Sequence, residues 1–157
     1  MTILHKYVTL PIGETLLLSN GKLLTGIYFV GHKGTPKILG DQQDAEIFSL
    51  VSRELTEYIE GSRQQFTVPY LFKGSDFQLK VWQEISKIPF GNVTTYQNIA
   101  NLISQPTAVR AVANAIGRNP VSIIVPCHRI IGTDGSLTGY AGGLQLKKIF
   151  LELEKTI

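Results

Sequence analysis

Residues 94–130 read TTYQNIANLISQPTAVRAVANAIGRNPVSIIVPCHRI, and the fold class turns on them. Thr94 followed three residues later by Gln97 has the form of a capping box, which opens a short helix through about residue 103. Pro106 suits the first turn of a second helix over about 107–116, with Gly117 at its C-cap. Two short helices joined by the tight Ser104-Gln105 link have the proportions of a helix-turn-helix. Downstream, residues 121–125 read as a strand, Asp134-Gly135 as the turn of a small wing, and 144–153 as a closing helix. Upstream, Phe77, Val81 and Ile85 mark one face of a helix over about 77–87, ended by Pro89 and Gly91.

The chain before this half has a different texture. Residues 7–10 and 15–19 are short apolar or β-branched runs separated by Pro11 and Gly13, and Asn20-Gly21 is a hairpin signal leading into 22–30. Phe48, Val51, Leu55 and Ile59 recur at helical spacing, Gly61 closes that helix, and 66–69 is a last strand candidate. Lys-Gly-Ser-Asp at 73–76 breaks the pattern. The reading is an α+β chain. Residues 1–73 form a small antiparallel sheet with one packed helix and a structural role. Residues 74–157 form a helical, winged helix-turn-helix-like domain.

Composition sharpens the division. The 157 residues are 43% hydrophobic and 9% aromatic, enough for a real core and against wholesale disorder. The formal charge is +3, which alone proves little about partners. Residues 1–73 carry seven basic and seven acidic side chains, whereas residues 74–157 carry eight and five, so the whole surplus sits in the second half. The start lacks the pattern of a signal peptide, and no stretch approaches the roughly 18 apolar residues of a membrane span. A cytoplasmic monomer without membrane attachment is expected.

There is one cysteine, Cys127, so neither an intrachain disulfide nor a cysteine-rich zinc cage is available. His5 and His32 form no ligand cluster with it, and neither metal nor cofactor is expected. A lone cysteine is commonly a buried small hydrophobe. Here Pro126 stiffens the preceding backbone, His128 supplies a titratable ring and Arg129 adds charge, and positive neighbours lower a thiol's pKa. Asn119 reads as a turn former before Pro120. Glu154 either faces water or, if its helix packs on Cys127, orients the second nitrogen of His128. Arg110, amid small apolar residues, is either a solubilising charge or a contact to phosphate and stacked bases.

Pro126-Cys127-His128-Arg129-Ile130 behind Arg118-Asn119-Pro120-Val121 resembles the active-site signature of the O6-alkylguanine-DNA alkyltransferases, the methylated-DNA–protein-cysteine methyltransferases. The resemblance continues through Phe90-Gly91, Thr95-Tyr96, Val109-Arg110-Ala111-Val112 and Tyr140-Ala141-Gly142-Gly143 with Lys147. It is strong over 74–157 and extends to size and strand content only in the first half. It implies direct reversal of DNA damage: Cys127 irreversibly accepts a methyl or other alkyl group from O6-alkylguanine in double-stranded DNA, or from O4-alkylthymine, in one turnover. His128 would take the thiol proton through a water, with Glu154 orienting it and Asn119 bracing the turn before Cys127. Arg110 would fill the gap left by the extruded base, with Thr95, Tyr96, Ala111 and Ala115 beside it at the DNA. Ile116, Ile130, Tyr140, Ala141, Gly142 and Lys147 would line the pocket, with the Tyr96 hydroxyl meeting the flipped base. The Ala141 amide would donate to O6, and the Cys127 and Ile130 carbonyls would accept from the exocyclic amine.

Physical chemistry fits that implication. A base inside a duplex must be flipped before a thiolate can reach it, a cost of a few kcal/mol. Nothing in the chain supplies a second thiol to remove the adduct. Ala141 replaces a serine of some relatives, and Ala113-Asn114 stands where a glycine is common. The fused phosphotriester sensor of certain relatives is not expected. The alternative is a non-enzymatic protein that recognises the lesion and recruits other factors, against which Cys127 itself argues. A winged-helix regulator with an inert cysteine leaves Cys127 and its neighbours without a role, and a cysteine hydrolase leaves the DNA-binding architecture unmotivated.

Overall fold

The structure is a computed structural model that describes residues 3–38 and 40–156. Its first unit is a three-stranded antiparallel sheet in the order β1-β2-β3: β1 Leu4–Leu10, β2 Gly13–Ser19 and β3 Leu24–Phe29. The second connection forms because the Asn20 side chain accepts from the Lys22 and Leu23 amides at 3.0 and 2.9 Å, while Gly21 takes φ +102°. Helix α1, Glu46–Ile59, lies against β1 and β2 and buries Phe48, Val51, Leu55 and Tyr58. Gly61 follows it at φ +88°, the left-handed exit that the sequence signals.

Residues 66–69 do not form the expected strand. The Thr67 amide donates instead to Glu54 Oε1 at 2.7 Å, and pairing is reduced to a bridge between Leu24 and Tyr70. A side chain has taken the donor that a ladder needs.

The second unit opens with α2, Asp76–Ile85, behind a full capping box of Ser75 and Gln78. Strand β4, Thr94–Thr95, leads into α3, Tyr96–Leu102, whose N-cap is Thr95. Helix α4, Val109–Gly117, begins later than expected: Pro106 lies in the preceding turn, and Gly117 is the last helical residue rather than the cap. Helices α3 and α4 pack on each other and α4 on α2, with the Trp82 indole donating to the Ala115 carbonyl at 2.8 Å. The helix-turn-helix is present. A single 3₁₀ turn at Cys127–Arg129 runs into β5, Ile130–Ile131, and α5, Leu144–Leu153, closes the fold.

Two further expectations give way here. Residues 121–125 are a turn and not a strand: Val125 donates back to the Val121 carbonyl at 3.0 Å, and Ile123 sits at φ +70°. The Asp134-Gly135 turn forms, but no paired wing strands accompany it among the described residues, because β5 pairs in parallel with β4. The two units share one core, in which β3 carries the second half on its free edge through the Ile27 amide, bonded to the Pro120 carbonyl at 2.8 Å.

Candidate active site

Cys127 owes its place to Asn119. The Asn119 amide donates to the Val125 carbonyl at 2.8 Å, and its oxygen accepts from the Val121 amide at 3.0 Å. Those bonds close the turn that delivers Pro126 and Cys127 from the end of α4, with Asn119 2% exposed and Cys127 6% exposed. The same turn holds the Ile123 backbone in a left-handed conformation that a β-branched residue rarely adopts.

Beside the thiol stands a buried polar cluster. His128 Nε2 is 2.7 Å from Glu154 Oε2, and the Arg129 guanidinium grips the same carboxylate with Nε at 2.8 Å from Oε1 and Nη2 at 2.9 Å from Oε2. Burial opposes a charge on Glu154, yet hydrogen bonds from His128 and Arg129 hold its pKa down at about 2. It is therefore an acceptor only, so Nε2 of His128 is the protonated nitrogen. Burial lowers the pKa of His128 more than Glu154 raises it, leaving a neutral ring. Its Nδ1 is buried without a protein partner, so the lone pair of a potential base is free.

The expected effect of the neighbours on the thiol is overturned. Burial pushes the Cys127 pKa up, against the Asn119 side chain and the Lys147 cation, which favour the thiolate. Arg129 does not contribute, because it is turned away onto Glu154 and the Ile88 carbonyl. The cation that faces the thiol is Lys147, fully buried, donating to the Ile130 and Thr138 carbonyls, with its pKa lowered to about 8 by burial. At rest the group is a protected thiol that needs a base.

Adjoining this cluster lies a cavity of about 860 Å³, which Asn119 lines and from which Cys127 and His128 are set back. One wall is the exposed side of α4 with Arg110, Ala113, Asn114 and Gly117, followed by Arg118. Another is the segment Thr138, Gly139, Tyr140 and Ala141, and Tyr28, His32 and Lys33 of the first unit form a third. Tyr96 closes it, donating through its hydroxyl to the Thr138 carbonyl at 2.8 Å. Burial raises the pKa of both Tyr96 and Tyr140, and a thiolate on Cys127 would raise each further.

The sequence-derived residues are thus divided. Cys127, His128, Glu154, Asn119 and Lys147 come together as one buried group, while Arg110 and Ala111 are exposed on α4. Thr95 is half-buried, with its hydroxyl capping α3. Ala115 is not at a DNA-facing surface: it is buried against α2, where it receives the Trp82 indole. Ile116 and Ile130 are core side chains, Lys147 is fully buried on the Ile130 and Thr138 carbonyls, and Gly142 is half-buried, and none of them lines the cavity, unlike Tyr96, Tyr140 and Ala141. The Cys127 carbonyl already accepts from the Ile130 amide, and the Ile130 carbonyl from Lys147. Sequence reasoning missed Tyr58, Tyr28 and Lys33, and assigned His32 no role, because each lies in the first unit far along the chain. No cluster of three or more metal-binding side chains occurs among the described residues, and no helix among them is long and apolar enough to cross a membrane.

A lone buried cysteine, followed in its 3₁₀ turn by a buried histidine with an unengaged ring nitrogen and adjoining a cavity walled by the second helix of a helix-turn-helix, is the arrangement of a protein that does thiol chemistry on nucleic acid. The comparisons agree. Residues 76–156 match the 6-O-methylguanine DNA methyltransferase DNA-binding domain, and residues 3–72 match the ribonuclease-like domain of the same family. The inducible methylated-DNA–protein-cysteine methyltransferase of Bacillus subtilis is 44% identical over 147 residues, covering 84% of this chain and 80% of its own. The Haemophilus influenzae methylated-DNA–protein-cysteine methyltransferase is 40% identical over 158 residues, covering 99% and 88%. The crystal structure of Mycobacterium tuberculosis OGT in complex with DNA superposes with a TM-score of 0.89 at 39% identity, over 97% of this chain and 92% of that one. The chain belongs to the O6-alkylguanine-DNA alkyltransferase family, whose members repair DNA directly by alkyl transfer to a cysteine.

Proposed function

We propose that Cys127 is the alkyl acceptor and that the cavity between α4 and residues 138–141 receives the flipped O6-alkylguanine. The observation that carries this reading is the unengaged Nδ1 of His128, the residue that follows Cys127 in the same 3₁₀ turn, on a ring whose other nitrogen is locked to Glu154. His128 takes the thiol proton through one water. Sulfur then attacks the alkyl carbon, the carbon–oxygen bond breaks with its electron pair going to guanine, and a thioether forms. The proton lost by the thiol equals the one the released guanine gains. Lys147 favours the thiolate as it forms.

Arg110, exposed on α4, enters the space the base vacates, and Arg118 and Lys33 face the phosphates around the cavity mouth. O4-alkylthymine, a smaller base with the same kind of alkyl ether, is a second substrate for the same cavity. A monomer is the proposed acting unit. A reactive thiol without a disulfide partner suits a reducing compartment, and the cytoplasm is the proposed setting.

The test is incubation of the whole chain with a duplex carrying labelled O6-methylguanine, followed by mass measurement of the peptide containing residue 127. One methyl per chain on Cys127 is expected, and none on Cys127→Ala. Label on the substituted chain would overturn the assignment.

A further inference from the structure

Tyr58 lies on α1, in the first unit of the chain, yet its hydroxyl is 2.5 Å from Glu154 Oε2 and 3.4 Å from His128 Nε2. The side chain is fully buried, with its ring packed among Phe66, Phe90, His128 and Phe150. We propose that Tyr58 is a positioning residue for the alkyl transfer: its hydroxyl fixes the Glu154 carboxylate and so sets the basicity of His128. The inference rests on the reading of Cys127 and His128 given above.

The geometry leaves the phenol one role. An ionised carboxylate can only accept, so Tyr58 donates. Glu154 Oε2 then carries Tyr58, His128 Nε2 and Arg129 Nη2 at 2.5, 2.7 and 2.9 Å, while Oε1 takes Arg129 Nε at 2.8 Å and the Gly91 amide at 3.4 Å. Each further donor on Oε2 draws off charge that would otherwise pull on the His128 Nε2 proton and favour the imidazolium. Tyr58 thereby limits how far Glu154 raises the basicity of the ring, and it keeps Nδ1 able to accept.

The groups that face His128 come from several elements. Tyr58 projects from α1, Arg129 and Cys127 flank it in its own turn, and Lys147 and Glu154 come from α5 and its cap. The Arg129 and Lys147 cations oppose a charge on the ring, and Glu154 alone favours one. Removing the Tyr58 donor strengthens Glu154 on that balance, so the ring protonates at a higher pH. The aromatic packing, by contrast, belongs to the ring of Tyr58 and survives replacement by phenylalanine. The first unit thus supplies a group to the reactive network and not merely a platform for it.

The experiment follows single-turnover transfer from a saturating O6-methylguanine duplex as a function of pH, using the whole chain. Tyr58→Phe is expected to move the acid limb of the rate profile upward by about one pH unit, a loss of about tenfold on that limb. One methyl should still reach Cys127 at alkaline pH. Site-specific replacement of Tyr58 by 3-fluorotyrosine, a more acidic phenol and stronger donor of nearly the same shape, is expected to move the limb down. An acid limb unmoved by both replacements would overturn the proposal, and the fluorinated protein decides the matter if the phenylalanine variant does not fold. Failure of the underlying reading is separate, since the unsubstituted protein would then leave Cys127 unmethylated.

Discussion

At Asn119 one amide does the work that a strand would do elsewhere. Its two hydrogen bonds, at 2.8 and 3.0 Å, replace ladder pairing across residues 119–125 and hold Ile123 in its left-handed conformation. Asn119→Ala leaves a buried carbonyl and a buried amide unpaired, and it should cost about 2–4 kcal/mol of stability in urea unfolding. Transfer to Cys127 should also slow, because the turn delivers that residue. Glu154→Gln tests a different link. It keeps the shape but removes the charge that Arg129 is buried against, so about 3–5 kcal/mol of stability should be lost. The alkyl-transfer rate should fall at least about tenfold, since an amide can present NH2 as well as oxygen to Nε2 and no longer fixes the tautomer of His128. A Gln variant with unchanged rate would remove Glu154 from the chemistry. Asn119 was legible as a turn former because a proline follows it, whereas the site role of Glu154 was favoured only by the family resemblance, since a glutamate at a helix end otherwise reads as facing water. Tyr58 was not legible, because it falls on the apolar face of α1, where an aromatic reads as core, and its partner lies 96 residues away.

At the scale of elements, the helices were legible and the short strands were not. Apolar spacing marks α1 and α2, and punctuation places α3, α4 and α5 to within a few residues, although the α3 cap is Thr95 and not Thr94, without a capping box, and Gly117 ends α4 from inside. The runs at 66–69 and 121–125 have strand composition, but in both a buried polar side chain, Glu54 or Asn119, takes a backbone group that pairing would have used. Such bonds are set by tertiary contact, and composition does not carry them. Helix α4 itself divides by face: Val112, Ala115 and Ile116 pack inward, and Arg110 and Ala111 face outward. Arg110→Ala should therefore leave unfolding within about 0.5 kcal/mol of the parent. It should slow repair of a duplex lesion about tenfold or more while leaving reaction with the free base O6-benzylguanine nearly unchanged, because only the duplex has a gap to fill. Equal loss on both substrates would place Arg110 in the pocket chemistry instead of in base extrusion.

Across the whole molecule, the charge division seen in the sequence becomes a division of labour with a shared wall. The basic second half bears α4, yet His32 and Lys33 of the neutral first half complete the cavity, and the Lys33 amide donates to the Ala141 carbonyl at 2.9 Å. The His32 part of that wall makes folding sensitive to pH. His32 is buried against Tyr28 and Phe29, and burial lowers its pKa to about 4. The unfolded chain takes up that proton near pH 6.5, whereas the folded chain resists it until about pH 4. Stability is therefore full above about pH 6.5 and declines as pH falls toward 4, with His128, also depressed by burial, acting in the same sense. Glu154 acts lower: its contribution is present above its ordinary pKa of 4.5 and is lost as pH falls through about 2. Urea midpoints should accordingly fall in two stages between pH 7 and pH 2. His32→Phe, which keeps an aromatic in place without a titrating nitrogen, should flatten part of the upper stage and leave the lower one intact. Glu154→Gln should do the reverse. Parallel curves for His32→Phe and the parent protein would mean that His32 does not couple the cavity wall to acid unfolding.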